Sequence, residues 1–156
     1  MIKGKKIADY INEETVNLDL KSKVKNMVIK ELYGAIKDLD SIKNKELGLS
    51  DIYAREELGS TGIGKGVALP HAKTKAVDEL IITFGISKNG VSYNSMDGED
   101  VNIFFMFLCP EKKTQEYLKV LARISRLIRD EKFVHNLVKA DSNEEIIKII
   151  RAEETN

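Results

Sequence analysis

The apolar run VNIFFMFLC, residues 101–109, constrains the fold more than any other segment of the chain. It is far shorter than the roughly 18 apolar residues of a membrane span, and its Val, Ile and Phe content is typical of a β-strand. The runs GVAL (66–69) and ELIITFGI (79–86) have the same character. All three therefore predict buried strands.

Weaker strand and turn signals surround these runs. A short strand is predicted near Thr15 to Leu18, and a small edge strand at Val91 to Tyr93. KNG (88–90) and NSMDG (94–98) supply the Asn and Gly residues that favour turns. This part of the sheet is expected to be antiparallel or mixed.

Apolar residues recur at helical spacing elsewhere in the chain. The predicted helices cover residues 20–40, 50–57, 114 onward, 130–140, and a last segment that begins at the capping box of Ser142 and Glu145. The second of these is expected to start at an N-cap of Ser50 or Asp51 and to end before Gly59. The sequence predicts one α/β (mixed α+β) domain over residues 1–156, with a mixed, roughly five-stranded sheet flanked by helices.

Charge and cysteine content exclude several classes of function. Twenty-five basic residues balance twenty-five acidic ones, so overall charge gives no reason to expect nucleic acid or an anionic membrane as a partner. No direct membrane insertion is predicted, because no stretch approaches the roughly 18 apolar residues of a membrane span. The single Cys109 cannot form an internal disulfide and is interpreted as a small buried hydrophobe rather than a reactive thiol. No metal or cofactor is expected, and a cytoplasmic location is predicted.

The stretch GSTGIGKGVALPH, residues 59–71, contains the strongest functional signal. Gly59-x-x-x-x-Gly64-Lys65 matches a P-loop until Gly66, which stands where that motif requires Ser or Thr. A helix precedes the loop and a strand follows it, which is the reverse of a P-loop or dinucleotide fold. Alternatively, the glycines only provide positive φ angles in a tight loop.

The histidine at the end of this stretch changes the balance between those interpretations. Pro70 cannot donate to a sheet ladder, so a strand is expected to end there and leave His71 accessible to another molecule. Neutral imidazole is a competent nucleophile at physiological pH. The Gly/Ser/Thr loop and the lysines at 65, 73 and 75 suit a phosphoryl group better than they suit core packing.

Together with Arg55, the stretch AREELGSTGIGKGVALPHAKT resembles the active-site segment of the type-2 enzyme IIA domains of the bacterial phosphoenolpyruvate-dependent sugar phosphotransferase system (PTS). The resemblance is to the fructose/mannitol branch and its nitrogen-regulatory relatives. It continues through residues 85–111 and 117–133 to the final NEEIIKII.

The resemblance implies a type-2 enzyme IIA-like fold and a phosphohistidine carrier, which is a phosphotransferase component. His71 would accept a phosphoryl group from the phosphocarrier protein HPr and pass it to a IIB component linked to a membrane IIC permease. Arg55 would stabilise the phosphoryl group, because a guanidinium can bind two of its oxygens. Thr61, Gly62 and Tyr117 are the further residues expected to contact phosphate.

Tyr117 is a departure from the family, because relatives commonly have a second histidine there. A tyrosine can donate a hydrogen bond but cannot become a cation. Tyr117 is alternatively a core residue, since it lies on an apolar helix face. Ile63, Val67 and Leu69 are candidates for a docking surface or for the core, and His135 is expected to be structural or exposed.

Two other functions are compatible with the same resemblance. One is a regulatory module whose phosphorylation state at His71 is read by a partner, as in the nitrogen-regulatory relatives. The other is a non-enzymatic relative similar to the cytoplasmic domains of some anion transporters. The intact ALPHA motif and Arg55 argue against the latter.

Overall fold

The structure is a computed structural model that describes residues 6–155. Its strands are β1 (Val16–Asn17), β2 (Gly62–Gly64), β3 (Val67–Ala68), β4 (His71–Thr74), β5 (Ile81–Val91) and β6 (Val101–Pro110). Its α-helices are α1 (Lys25–Gly34), α2 (Lys45–Glu57), α3 (Thr114–Leu127), α4 (Glu131–Lys139) and α5 (Asn143–Glu154). Short 3-10 helices cover Ile7–Tyr10 and Glu13–Thr15.

These strands form one mixed sheet in the order β1-β5-β6-β3-β2, and β4 also pairs with β6. β5 and β6 are antiparallel, whereas β1 is parallel to β5, and β3 and β4 are parallel to β6. The mixed α/β prediction is therefore confirmed. The sheet has six strands rather than about five, because β2 and β4 were not predicted.

The core lies on both faces of the sheet, because β5 and β6 are apolar at successive positions. One face packs against α3, α4, α5 and the first 3-10 helix, through residues that include Phe84, Phe105 and Phe107. The other face packs against α1 and α2, through residues that include Phe104 and Met106. Within residues 6–155, no helix is long and apolar enough to cross a membrane.

Two predicted helices have different bounds in the structure. The segment predicted as a helix over 20–40 is helical only from Lys25 to Gly34, because the backbone N–H groups of Lys21 and Ser22 donate to the Glu31 carboxylate. The helix predicted to start at Ser50 or Asp51 already starts at Lys45. Its N-cap is Asn44, whose side chain accepts a hydrogen bond from the Leu47 amide.

The predicted turn at residues 88–90 is a β-bulge. β5 continues to Val91 through Gly90 at φ +85°, and its register with β6 shifts between Ile86 and Val91. The chain reverses only over residues 92–100, where Asn94 and Gly98 have positive φ. Val91 therefore ends β5, whereas a separate edge strand at Val91 to Tyr93 was predicted.

Candidate functional site

Strands β3 and β4 lie end to end along the same edge of β6. Val67 pairs with Ile103 and His71 pairs with Phe107, so the register is unchanged across the gap at Leu69 and Pro70. Pro70 has no N–H, but its carbonyl accepts a hydrogen bond from the Phe107 amide. His71 consequently begins a strand, whereas the sequence predicted that it follows a strand end.

The gap between the two strands fixes the orientation of the His71 ring. Leu69 donates its amide to the Thr61 carbonyl, and its own carbonyl lies 2.5 Å from Nδ1 of His71. A carbonyl oxygen can only accept, so Nδ1 carries the proton of the neutral imidazole. Nε2 therefore keeps its lone pair, with which a neutral imidazole can act as a nucleophile.

The imidazole is packed between aromatic rings and is only 4% exposed. It stacks on Phe107 with ring centroids 4.9 Å apart and planes 6° apart, and it meets Tyr117 at 5.6 Å and 49°. Burial lowers the pKa of His71, and the positive charge of Arg55 lowers it further. The hydrogen bond with Leu69 and the negative charge of Glu56 oppose that shift only in part.

Arg55 approaches His71 from the last turn of α2. Its Nη1 donates to the Gly59 carbonyl at 2.9 Å, which holds the guanidinium beside the glycine loop, residues 59–66. Burial raises the pKa of Tyr117, although the charge of Arg55 and a hydrogen bond with it act in the opposite direction. Arg55, Tyr117 and His71 thus form one cluster, although they lie on α2, α3 and β4.

A cavity of about 640 Å³ opens between α2, β4 and the start of α3. Its lining comprises Leu47, Asp51, Ala54, Arg55, Leu58, Ala72, Lys73, Lys75, Glu111 and Tyr117. Lys73 lies with Nζ 5.3 Å from the centroid of the Tyr117 ring. Since Tyr117 contacts the His71 ring, the imidazole lies directly behind the cavity wall, next to two positively charged side chains.

The other loop residues expected at the site have partners within the protein. Thr61 is buried, and its amide and hydroxyl both donate to the carboxylate of Glu56. Gly62 donates its amide to Ser60 Oγ. Lys65 forms an ion pair with Glu131 rather than lining the cavity. Gly64 and Gly66 have positive φ. These two glycines therefore agree with the alternative interpretation, in which the glycines provide positive φ angles in a tight loop.

Glu56 is a residue of this region that sequence reasoning missed. Its side chain is 4% exposed and lies 2.9 Å from Lys25 Nζ. Burial alone would raise the pKa of Glu56, but hydrogen bonds from Thr61 and Lys25 lower it overall. A carboxylate next to Arg55, at a helix end before a Ser/Thr/Gly loop, was the available signal in the sequence.

The remaining candidates lie outside this cluster. Val67 and Leu69 are core residues, whereas Ile63 is exposed. His135 is exposed on α4, as predicted for a structural or surface residue. Cys109 is buried and unpaired, and burial raises the pKa of its thiol to about 11. Among residues 6–155, no group of His, Cys, Asp and Glu is arranged to hold a metal ion.

Known proteins share both the sequence and the fold. The chain is 37% identical over 145 residues to the "PTS system fructose-specific EIIABC component" of Bacillus subtilis (strain 168), covering 93% of this chain but only 23% of that protein. The crystal structure of "Nitrogen Regulatory Protein IIA-Ntr" from Neisseria meningitidis superposes with a TM-score of 0.86 at 28% identity, over 92% of this chain and 98% of that one.

A third comparison is with a solved complex. The structure of "enzyme IIAMTL and phosphorylated enzyme IIBMTL" from Escherichia coli has a TM-score of 0.78 at 17% identity, over 90% of this chain and 96% of that one, and it shows the shared fold. The sequence model of "Phosphoenolpyruvate-dependent sugar phosphotransferase system, EIIA 2" matches residues 9–153. The chain therefore belongs to the EIIA 2 family of the phosphoenolpyruvate-dependent sugar phosphotransferase system.

Proposed function

We propose that this protein is a phosphoryl carrier in which Nε2 of His71 accepts a phosphoryl group from phospho-HPr and donates it to a IIB component. The observation that carries this proposal is the hydrogen bond between Nδ1 of His71 and the Leu69 carbonyl. It leaves Nε2 as the nucleophile in a ring whose lowered pKa keeps it neutral. The family of the chain and its fructose-specific relative support the same role.

The chemistry requires one bond to form as another breaks. The Nε2 lone pair attacks the phosphorus of the donor's phosphohistidine, and the electron pair of the donor's P–N bond returns to the donor imidazole. The His71 ring then carries both the phosphoryl group on Nε2 and the proton on Nδ1, and the Leu69 carbonyl stabilises the positive charge of that ring. Transfer to IIB reverses these steps with a new acceptor.

Arg55, Tyr117 and Lys73 are the side chains available for the phosphoryl oxygens. Phosphoryl transfer depends mainly on alignment and on positive charge around the equatorial oxygens. Arg55 supplies a fixed guanidinium, and Tyr117 supplies a hydroxyl that remains protonated because its pKa is raised. Thr61 and Gly62 remain proposed phosphate-binding residues. Their amides already donate to Glu56 and Ser60, so we assign them the role of shaping the loop around the phosphoryl group.

Docking of a partner protein is supported by exposed apolar side chains beside the cavity. Leu58 is 85% exposed and lines the cavity, and Leu118, next to Tyr117, is 55% exposed. Exposed apolar side chains of this size are typical of a surface that a partner covers transiently. We assign this surface to HPr and to IIB in turn.

A regulatory role is the second candidate function. Nitrogen-regulatory proteins are among the relatives of this chain both in sequence and in structure. Tyr117 stands where relatives commonly have a second histidine and cannot become a cation, which suits slower transfer and a longer-lived phosphorylated state. In this role a partner reads whether His71 is phosphorylated.

The test is intact-mass measurement after incubation with phosphoenolpyruvate, enzyme I and HPr. We expect one added phosphoryl group that is lost on acid treatment, absent in His71→Ala, and retained in the matched control His135→Ala. No added mass in the wild type, or the same gain in His71→Ala, would contradict the proposal. Rapid discharge by a IIB protein would support transport, and its absence would favour regulation.

A further inference from the structure

The buried carboxylate of Glu56 has more polar partners than any role in local helix capping requires. It accepts hydrogen bonds from the Thr61 amide at 2.8 Å, the Thr61 hydroxyl at 2.5 Å and the Tyr93 hydroxyl at 3.1 Å. It also pairs with Lys25 at 2.9 Å. These partners lie on α1, on the glycine loop and on the segment after β5, so one side chain joins three separate parts of the chain to α2.

The same carboxylate is connected to His71 by three successive hydrogen bonds. Glu56 fixes Thr61 through both its amide and its hydroxyl. The Thr61 carbonyl accepts from the Leu69 amide at 2.9 Å, and the Leu69 carbonyl accepts from Nδ1 of His71. Thr61 and Leu69 therefore stand between a fixed anion and the nitrogen that determines the tautomer of the imidazole.

We propose that Glu56 is a positioning residue for His71, which acts through Thr61 and Leu69 to keep the proton on Nδ1 and the lone pair on Nε2. The effect passes from residue to residue as a change of backbone position. If Thr61 moves, the Leu69 amide loses its acceptor, and the Leu69 carbonyl leaves its position over Nδ1. The ring can then exchange tautomers, and the fraction with a nucleophilic Nε2 falls. The effect on transfer rate rests on the proposed function, whereas the effect on the tautomer does not.

The burial of the Glu56 carboxylate requires that its oxygens keep their hydrogen-bond partners. A carboxylate that is 4% exposed must be fully hydrogen bonded, because a buried acceptor without a partner has lost its bonds to water and gained none in exchange. Its four contacts meet that requirement together, so the loss of one shifts the others. The Tyr93 hydroxyl contacts both Oε1 of Glu56 and the Thr61 hydroxyl, whereas Lys25 contacts Oε2 of Glu56.

The chain contains a matched control in Glu154. Its side chain is 2% exposed, accepts from the amides of Ile7 and Ala8, and lies 3.9 Å from Arg123. Glu154 is thus a second buried carboxylate next to a cation, with two backbone donors where Glu56 has three backbone or hydroxyl donors, but it binds the N-terminal segment. Glu56→Gln and Glu154→Gln remove the same charge from comparable environments.

The first readout is the tautomer of His71 in the unphosphorylated protein, measured by ¹H–¹⁵N correlation of the imidazole nitrogens, with exposed His135 as internal reference. Wild type and Glu154→Gln should show a single Nδ1-protonated form at His71. Glu56→Gln should show a mixture of both tautomers. An unchanged His71 pattern in folded Glu56→Gln would overturn the proposal.

The second readout is the single-turnover rate of phosphorylation by phospho-HPr. Glu56→Gln should be slower by about tenfold, as is common when the residue that orients a reactive histidine is changed, and Glu154→Gln should be unchanged. An equal loss of rate in both variants, in step with their loss of thermal stability, would make Glu56 purely structural. If the wild type accepts no phosphoryl group, the proposed function fails, and the tautomer measurement still decides the role of Glu56.

A second variant covers the case in which Glu56→Gln does not fold. Thr61→Val keeps the amide bond to Glu56 but removes the hydroxyl bond, whereas Thr61→Ser retains both. We expect Thr61→Val to show a smaller admixture of the second tautomer and Thr61→Ser to resemble the wild type. The same tautomer ratio in Thr61→Val, Thr61→Ser and the wild type would contradict the proposed connection.

Discussion

Strand β6 is paired differently along its two edges. Toward β5 the pairing is antiparallel and runs without interruption from Ile81 opposite Leu108 to Ile86 opposite Ile103. Toward β3 and β4 it is parallel and is interrupted at Leu69 and Pro70. The first edge is almost entirely apolar, whereas the second carries His71.

The difference shows how a stable sheet can hold a reactive side chain. At the β5 edge, main-chain groups bond to one another and the side chains pack in the core, apart from the Thr83 hydroxyl, which donates to the Thr15 carbonyl. At the interrupted edge, the Leu69 carbonyl bonds to a side chain instead, and that bond determines which nitrogen of the His71 imidazole keeps its lone pair. We therefore expect substitutions at the β5 edge to change stability and substitutions around the β3–β4 gap to change transfer as well.

The largest expected effect on transfer is that of Arg55→Lys. An ammonium lacks the fork that binds two phosphoryl oxygens, so phosphorylation of His71 should slow by about 100-fold. The matched control is Arg151→Lys, because Arg151 also donates from Nη1 at 2.8 Å, to Asp9, away from the site. Rates should be measured in a single turnover with phospho-HPr. Equal rates in the two variants would show that transfer does not depend on the guanidinium fork of Arg55.

Three Gly→Ala changes, in β2, in β5 and in the loop after α2, should lower the free energy of unfolding by different amounts. A Cβ at Gly62 would collide with Ser95 Oγ and lie 3.0 Å from the Tyr93 ring and 3.1 Å from Ser95 Cα, so Gly62→Ala should cost about 2 kcal/mol of unfolding free energy. At Gly85 in β5 it would meet the flexible ends of Leu20 and Leu32, at 2.8 and 2.6 Å, and the cost should be smaller. Gly59→Ala, with no atom within 4 Å, should be nearly neutral. Urea denaturation that gives any other order would contradict this account.

Substitutions at two buried phenylalanines should distinguish an effect on stability alone from an effect on phosphoryl transfer. Phe84 and Phe107 are both fully buried on the same face of the sheet, but only Phe107 stacks on His71. Phe84→Leu and Phe107→Leu should each destabilise by about 1 kcal/mol. Only Phe107→Leu should slow phosphorylation, because it alone removes a contact of the imidazole. If Phe84→Leu slows transfer equally, the two edges are not functionally distinct.

The smallest expected effect is a displaced titration of His71. Burial and then Arg55 lower its pKa below the ordinary value of 6.5, so the ring should still be mainly neutral at pH 6.5. The unfolded chain binds this proton more readily, and the contribution of His71 to stability is therefore lost as pH falls below 6.5. NMR titration should give a midpoint below pH 6.5, and a midpoint at or above 6.5 would contradict the account.

Much of this arrangement could be predicted from the sequence. The apolar runs predicted the central strands because burial on both faces requires continuous apolar residues. The spacing of Arg55 and His71, together with the family resemblance, predicted two residues that the structure places in one cluster with Tyr117. That clustering depends on motifs that are local in the sequence or shared within the family.

The missed features depend on contacts between distant segments. β4 is four residues long and includes an exposed lysine, so only its pairing with β6 makes it a strand. The partners of Glu56 lie at residues 25, 61 and 93, and no local pattern brings them together. Gly48 lowers the helix propensity at the start of α2, where the Tyr33 side chain packs against it. Asn89-Gly90 is equally compatible with a turn and with the bulge that forms.

The most direct test of the central claim is NMR of the phosphorylated protein, with ¹⁵N-labelled histidine and phosphoryl transfer from phospho-HPr. We expect one phosphohistidine, at His71, with the phosphoryl group on Nε2 and a proton on Nδ1. A phosphoryl group on Nδ1 of His71, on His135 or on neither histidine would contradict it.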